Sequence, residues 1–131
     1  MGKWSIPINV LIAKAGADVD LIVRKVSIDM FSRVIRMSPV DTGRFKGNWQ
    51  CTLDRAAETA TDVRDPSGLA TADAMIDAVM AFPVGRVTYL SNALPYAYRL
   101  EYEGWSKQAP IGMVRVTARE FDVAMQAAAP K

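Results

Sequence analysis

From Lys14 to Met37 apolar residues recur every three or four positions: Val19, Ile22, Val23, Val26, Met30, Phe31, Val34 and Ile35. Asp18, Asp20, Arg24, Lys25, Asp29, Arg33 and Arg36 fill the other face. That period predicts an amphipathic helix of about six turns. Acids dominate its first half and Arg33 and Arg36 sit near its end, as the helix dipole favours. Ser38-Pro39 stops it, because the residue before a proline disfavours helical backbone. Upstream the period is two. Trp4, Ile6, Ile8, Val10 and Ile12 alternate with Ser5, Pro7, Asn9 and Leu11, which predicts an extended arm over residues 1–13. Pro7 cannot donate to a ladder, so the arm is no central strand.

After the helix, Val40-Asp41-Thr42-Gly43 reads as a turn. Asp41 is expected to fold its carboxylate onto nearby amides, and Gly43 to take a positive φ. Phe45, Gly47, Trp49, Cys51 and Leu53 then alternate with polar residues, predicting a half-buried strand over Arg44–Leu53. Gly47 inside it implies a bulge or a close neighbour. Residues 54–69 are polar and read as a surface loop. Ala70–Phe82 is alanine-rich and predicts a short helix capped by Thr71. Arg86–Leu90 reads as a second strand, and Ser91-Asn92 with Pro95 as a turn. Tyr96–Tyr102 is a strand or a helical turn, and Gly104–Gly112 a loop. Val114–Ala128 is a closing helix with Val116, Phe121, Val123, Ala124 and Ala127 inward. No internal repeat is visible.

Length makes this one domain, residues 1–131. Half of the residues are hydrophobic and 23% charged, an ordinary globular balance with enough apolar content for one core. A net charge of +2 argues for neither nucleic acid nor membrane as the main partner. No apolar run approaches the roughly 18 residues of a membrane span. Pro7 and Asn9 break the first apolar stretch, which argues against a signal peptide. The charge is uneven: Asp54, Glu58, Asp62, Asp65, Asp73 and Asp77 face only Arg55 and Arg64.

Candidate chemistry is sparse. The chain has one cysteine, Cys51, and no histidine. A disulfide framework, histidine catalysis and histidine metal ligation are therefore excluded. Cys51 reads as a small buried hydrophobe. Loop acids between Asp54 and Asp65 lack a cation-binding spacing, and no phosphate loop is present. Glu101 and Glu103 could share a strand face as a catalytic carboxylate pair, the basis for an alternative reading as a small carboxylate-based hydrolase. Arg86, Arg99 and Lys107 explain them equally well as ion-pair partners. We assign no catalytic, cofactor or metal residues, and do not read the chain as an enzyme.

The stretch Asn92–Arg115 collects Tyr96, Tyr98, Tyr102 and Trp105 with Arg99, Lys107 and Arg115. Aromatics with arginine are enriched at interface hot spots. By alternation Tyr98 or Tyr102 is expected inside, with Trp105 and Met113 partly exposed. Interleaved basic and aromatic residues also suit single-stranded nucleic acid, which makes a DNA-binding accessory protein a further alternative. The weak net charge disfavours it.

Two strings carry a family resemblance. One runs Ser38-Pro39-Val40-Asp41-Thr42-Gly43-Arg44-Phe45-Lys46-Gly47-Asn48-Trp49. The other runs Asn92-Ala93-Leu94-Pro95-Tyr96-Ala97-Tyr98-Arg99-Leu100-Glu101-Tyr102, followed by Trp105-Ser106-Lys107-Gln108-Ala109-Pro110 and Gly112-Met113. Together, in this order, they resemble the neck and tail-completion family of long-tailed bacteriophages and prophages, also described as head–tail joining or minor tail proteins. The resemblance covers roughly residues 14–125. One departure is Glu103, inserted where the family pattern has Tyr-Gly directly; it should lengthen the loop before Trp105.

The resemblance implies an α/β (α+β) fold: a small, mainly antiparallel sheet, a long N-terminal helix on one face, and a C-terminal helix. It implies a non-catalytic virion protein in the neck or tail, present in the host cytoplasm during assembly. Its expected state is a homo-oligomeric ring, six- or twelve-fold, at the head–tail junction. Its expected neighbours are head-completion or connector, tail-terminator or tail-tube proteins, with DNA passing through the lumen and no membrane contact. Rings need unlike surfaces on each subunit. The arm residues Trp4, Ile6 and Ile8 are candidates for one surface. The loop residues Tyr102, Trp105, Lys107, Gln108 and Met113 are candidates for the other. Asp41, Thr42 and Gly43 are expected to be a structural turn, and the acids of residues 54–65 to face the lumen.

Overall fold

The computed structural model describes residues 19–83, 85–104, 106–109 and 112–128. The arm expected over residues 1–13, with Trp4, Ile6 and Ile8, lies outside them. So do the first residues expected in the long helix, and Trp105. The fold is α+β: five helices and a two-stranded antiparallel sheet among the described residues.

Helix α1 spans Val19–Met37. Its last two turns enter the core through the buried Val34 and Ile35, with Ile28 and Phe31 half-buried beside them. Val23 stays exposed. Arg33, expected on the solvent face, is buried instead and pairs with Glu120 of the last helix. The reason is that α1 is covered on two sides, by the helix Leu69–Ala81 and by the last helix.

The strand expected from Arg44 splits. Arg44–Gly47 is one helical turn, α2, and only Trp49–Leu53 is strand β1. Gly43 causes this. Its φ of 85° reverses the chain, and its carbonyl then accepts the Gly47 N–H at 2.9 Å. The Gly43 carbonyl also accepts the Asp65 N–H at 2.9 Å. A Cβ on Gly43 would lie 2.5 Å from the Pro66 nitrogen, so both φ and space demand glycine. Gly47 has the expected close neighbour: a Cβ there would sit 2.9 Å from the Val63 carbonyl.

Strand β2, Thr88–Asn92, pairs with β1 in the register Trp49 to Asn92 and Leu53 to Thr88. It begins and ends two residues later than expected. Asn92, read as a turn, continues the ladder while its side chain donates to the Phe45 carbonyl at 2.9 Å and accepts the Leu94 N–H at 3.2 Å. Trp49, Cys51 and Leu90 face the core. On the opposite face Gln50 donates to the Thr59 carbonyl at 2.9 Å, and the Ala57 N–H donates to Ser91 Oγ at 3.0 Å. The loop between the strand and the next helix therefore covers that face.

Helix α3 is Leu69–Ala81 and packs between α1 and β1. Thr71, expected to cap it, lies inside its first turn instead, and the cap comes from Asp65. The buried Asp65 carboxylate accepts the Thr71 N–H at 2.8 Å, the Thr71 hydroxyl at 2.7 Å and the Gly68 N–H at 3.2 Å. Helix α4, Ala97–Tyr102, resolves the undecided third element. Helix α5, Val114–Ala128, has the predicted bounds. Its most buried described residue is Thr117, whose hydroxyl donates to Met37 Sδ at 3.7 Å. Val123, expected inward, is exposed.

Candidate functional site

The two strings that carry the resemblance are far apart in sequence, yet they meet. The first begins where α1 ends. Ser38 Oγ donates to the Val34 carbonyl at 2.7 Å and accepts the Trp49 Nε1–H at 2.7 Å. That hydroxyl ties the helix end to the first residue of β1. At the turn, the Thr42 hydroxyl accepts the Arg44 N–H at 3.3 Å. Asp41, expected to make such a bond, is exposed.

Gln108 joins the strings. Its Oε1 accepts the Val40 N–H and its Nε2 donates to the Val40 carbonyl, both at 2.9 Å. The side-chain amide thus pairs with Val40 as a neighbouring strand would. Phe45 and Tyr96 add a ring contact at 6.0 Å between centroids. Between these ties lies an open groove of about 580 Å³, lined by Asp41, Thr42, Phe45, Tyr96, Leu100 and Lys107 among others. Asp41 and Lys107 are the charged side chains that line it.

No family model, curated protein or solved structure matches this chain. The site is therefore argued from its own geometry.

The carboxylate pair does not form. Glu101 is buried in α4 and reaches across to the start of α5. Its Oε2 accepts the Met113 N–H at 2.7 Å and the Val114 N–H at 3.3 Å, and its Oε1 accepts the Arg115 N–H at 2.7 Å. Both oxygens are occupied by an otherwise orphaned helix terminus. The Arg115 guanidinium bonds the Glu101 carbonyl as well. Gly112 makes room: its φ is 88°, and a Cβ would collide with the Glu101 carboxylate. Glu103 is exposed and lies 3.8 Å from Arg99, one turn back.

A helical α4 also corrects the tyrosines. Residues four apart share a helix face. Tyr98 and Tyr102 therefore both point outward, 64% and 54% exposed, with ring centroids 4.9 Å apart. The Arg115 guanidinium sits 4.8 Å from the Tyr102 ring centroid, within cation–π range. Tyr96 is the half-buried one and packs on the core. Met113, expected at an interface, is 0% exposed and belongs to the core beneath α4 and α5. Lys107 and Tyr102 are exposed, and Gln108 is exposed but bonded to Val40.

Asp65 and Cys51 are structural too. Burial alone would raise the Asp65 pKa. The hydrogen bonds from the Thr71 amide and hydroxyl, the Gly68 amide and Ser67 outweigh it and hold the carboxyl below its ordinary value. Burial pushes the Cys51 thiol up, away from a reactive thiolate. Among the described residues no three His, Cys, Asp or Glu side chains cluster to hold a metal, and no helix is long and apolar enough to cross a membrane. Of the loop acids expected to face a lumen, Asp65 points inward, Asp54 pairs with Arg86 and Asp62 lies 3.5 Å from Arg44.

Two residues were not legible as functional. Glu101 caps a helix that starts thirteen residues later, across a loop, and no local motif marks that. Tyr98 was present in the aromatic stretch, but its exposure follows only once α4 is helical.

Proposed function

We propose that this chain is a structural subunit of a tailed bacteriophage particle. It forms a ring at the head–tail junction and joins tail to head as a neck or tail-completion protein. The observation that carries the reading is the convergence of the two resembling strings on one groove, tied by the Gln108–Val40 pairing. Residues that a family-level surface would share are thus held in one place.

The polar inventory supports the same reading. Glu101, Asp65 and Ser38 are engaged in holding helix ends. Among the exposed residues are Tyr98 and Tyr102, an aromatic pair of the type enriched at protein contacts. A lumen lined by Arg33 is incompatible with its burial. Disrupting the gene in the phage or prophage that carries it tests the proposal. The expected result is filled heads and complete tails that do not join, with infectivity restored by the gene in trans. Normal yields of joined, infectious particles without the gene would contradict it.

A further inference from the structure

Helix α1 carries α3 and α5 on opposite sides. Arg24 donates to the Val79 and Met80 carbonyls of α3, both at 2.7 Å. Ile35 lies against Gly68, just before α3, where a Cβ would come within 3.1 Å of it. An α-helix turns about 100° per residue. Arg24 and Ile35, eleven residues apart, therefore share one side of α1. Arg33 pairs with Glu120, and Met37 accepts from the Thr117 hydroxyl, so both meet α5. Those two are four residues apart and share a side as well. Ile35 follows Arg33 by two residues, about 200° round the helix. Helices α3 and α5 thus flank α1 within one layer, and their outer faces form its two edges.

The two edges are unlike. Along α3 the exposed residues Leu69, Asp73, Asp77 and Met80 follow one another at about one per turn. Leu69 is 71% exposed and Met80 56%. No basic residue lies in α3. Along the other edge run Tyr102, Arg115, Arg119 and Val123, all exposed. Tyr102 joins this row because the Arg115 guanidinium sits over its ring. Both rows read apolar, charged, charged, apolar, with acids on one and arginines on the other. Like charges four residues apart on a helix repel, so Asp73 and Asp77 repel within one copy, as do Arg115 and Arg119. Among the described residues no ion pair forms to Asp73, Asp77 or Arg119. The exposed face of α5 holds a single acid among its described residues, Asp122.

We infer that the acidic face of α3 docks on the arginine face of α5 in a second copy of this chain, so that copies join edge to edge and head to tail. Charge selects that occupant. Two α3 faces repel, and so do two α5 faces, which opposes a two-fold pair through either. Acid against arginine relieves both repulsions, and Leu69 and Met80 then meet the apolar ends of the facing row. Unlike edges on opposite sides of one layer make a heterologous contact, which repeats from copy to copy and closes into a ring where the rotation permits. The inference rests on the proposed function for the premise that copies meet, and not for their meeting in a virion.

Sedimentation of the purified full-length chain tests it. Asp73→Lys with Asp77→Lys is expected to weaken self-association about tenfold or more. Arg119→Asp is expected to weaken it about fivefold or more. An equimolar mixture of the two variants should recover association to within about threefold of wild type, because each reversed face then meets its opposite. Glu58→Lys with Asp62→Lys, in the loop after β1, changes the net charge as much as the α3 pair does. It should shift association by no more than about twofold. Circular dichroism checks that each variant is folded. A mixture that associates no better than either variant alone would overturn the inference. So would reversals that leave association unchanged, or a wild-type chain that stays monomeric at high concentration. These outcomes leave the virion reading standing, since a ring can close through other faces. Absence of the chain from particles would leave a positive rescue in the mixture standing.

Discussion

The turn that precedes α3 and the edge formed by β2 and α4 treat polar groups in opposite ways. Around the turn, every buried polar group described above has a partner inside the subunit: Asp65 holds the start of α3, Gly43 accepts two amides, and Ser38 bridges α1 to Trp49. Along β2 and α4, the outward backbone groups of β2 have no backbone partner among the described residues and two paired tyrosines are exposed, although Glu101 in the same helix is fully engaged. The first region is built to stabilise the monomer. The second is stabilised from below and left open on top, the expected signature of a surface completed by another chain.

Substitutions can break that contrast, and they rank by size. Glu101→Ala should be the most damaging, because it strands three amides at a buried helix start. Urea unfolding is expected to show a loss of about 3 kcal/mol. A loss below about 1 kcal/mol would mean water replaces the carboxylate easily and the underside of α4 is less closed than described.

Asp65→Asn comes next, at about 2 kcal/mol near neutral pH. The sign of its pH dependence is fixed by the lowered pKa. A carboxyl held below its unfolded value adds stability above that value and loses it as pH falls through the folded one. Wild-type stability should therefore drop on acidification below about pH 4 more steeply than that of Asp65→Asn. Parallel curves would remove Asp65 as the source.

Trp49→Phe keeps the ring but loses the bond to Ser38, and should cost about 1 kcal/mol by the same unfolding assay. The smallest effect on folding belongs to the open side. Tyr98→Ala with Tyr102→Ala should change monomer stability by no more than about 0.5 kcal/mol, yet abolish assembly in a sedimentation or particle-joining assay. If instead the monomer unfolds, the tyrosines belong to the core and the contrast fails.

Much of the closed side was legible in the sequence. The 3.6-residue period marked α1 and Ser38-Pro39 its end, and alanine content marked α3. The misreadings have a common physical cause. Phe45, Gly47 and Trp49 alternate as in a strand, but the left-handed Gly43 wound the first half into a helical turn. Tyr98 and Tyr102 sit four apart, a spacing that fits both a strand face and a helix face. Only the tertiary setting of α4 decided that they lie together on the outside. Met113 looked like a rim residue because its loop is polar, whereas the reach of Glu101 to the start of α5 draws it into the core. Long-range capping leaves no local trace in sequence. The groove between the two strings was visible only as a resemblance, and its physical link, Gln108 to Val40, spans 68 residues.

The central claim is that this chain is a ring subunit where head meets tail. A reconstruction of intact particles from the phage or prophage that carries the gene tests it most directly. The account predicts several copies in a closed ring at the junction, with the Tyr98–Tyr102 side of each against a neighbour. Finding the chain absent from the particle, or present with that side facing solvent in every copy, would contradict it.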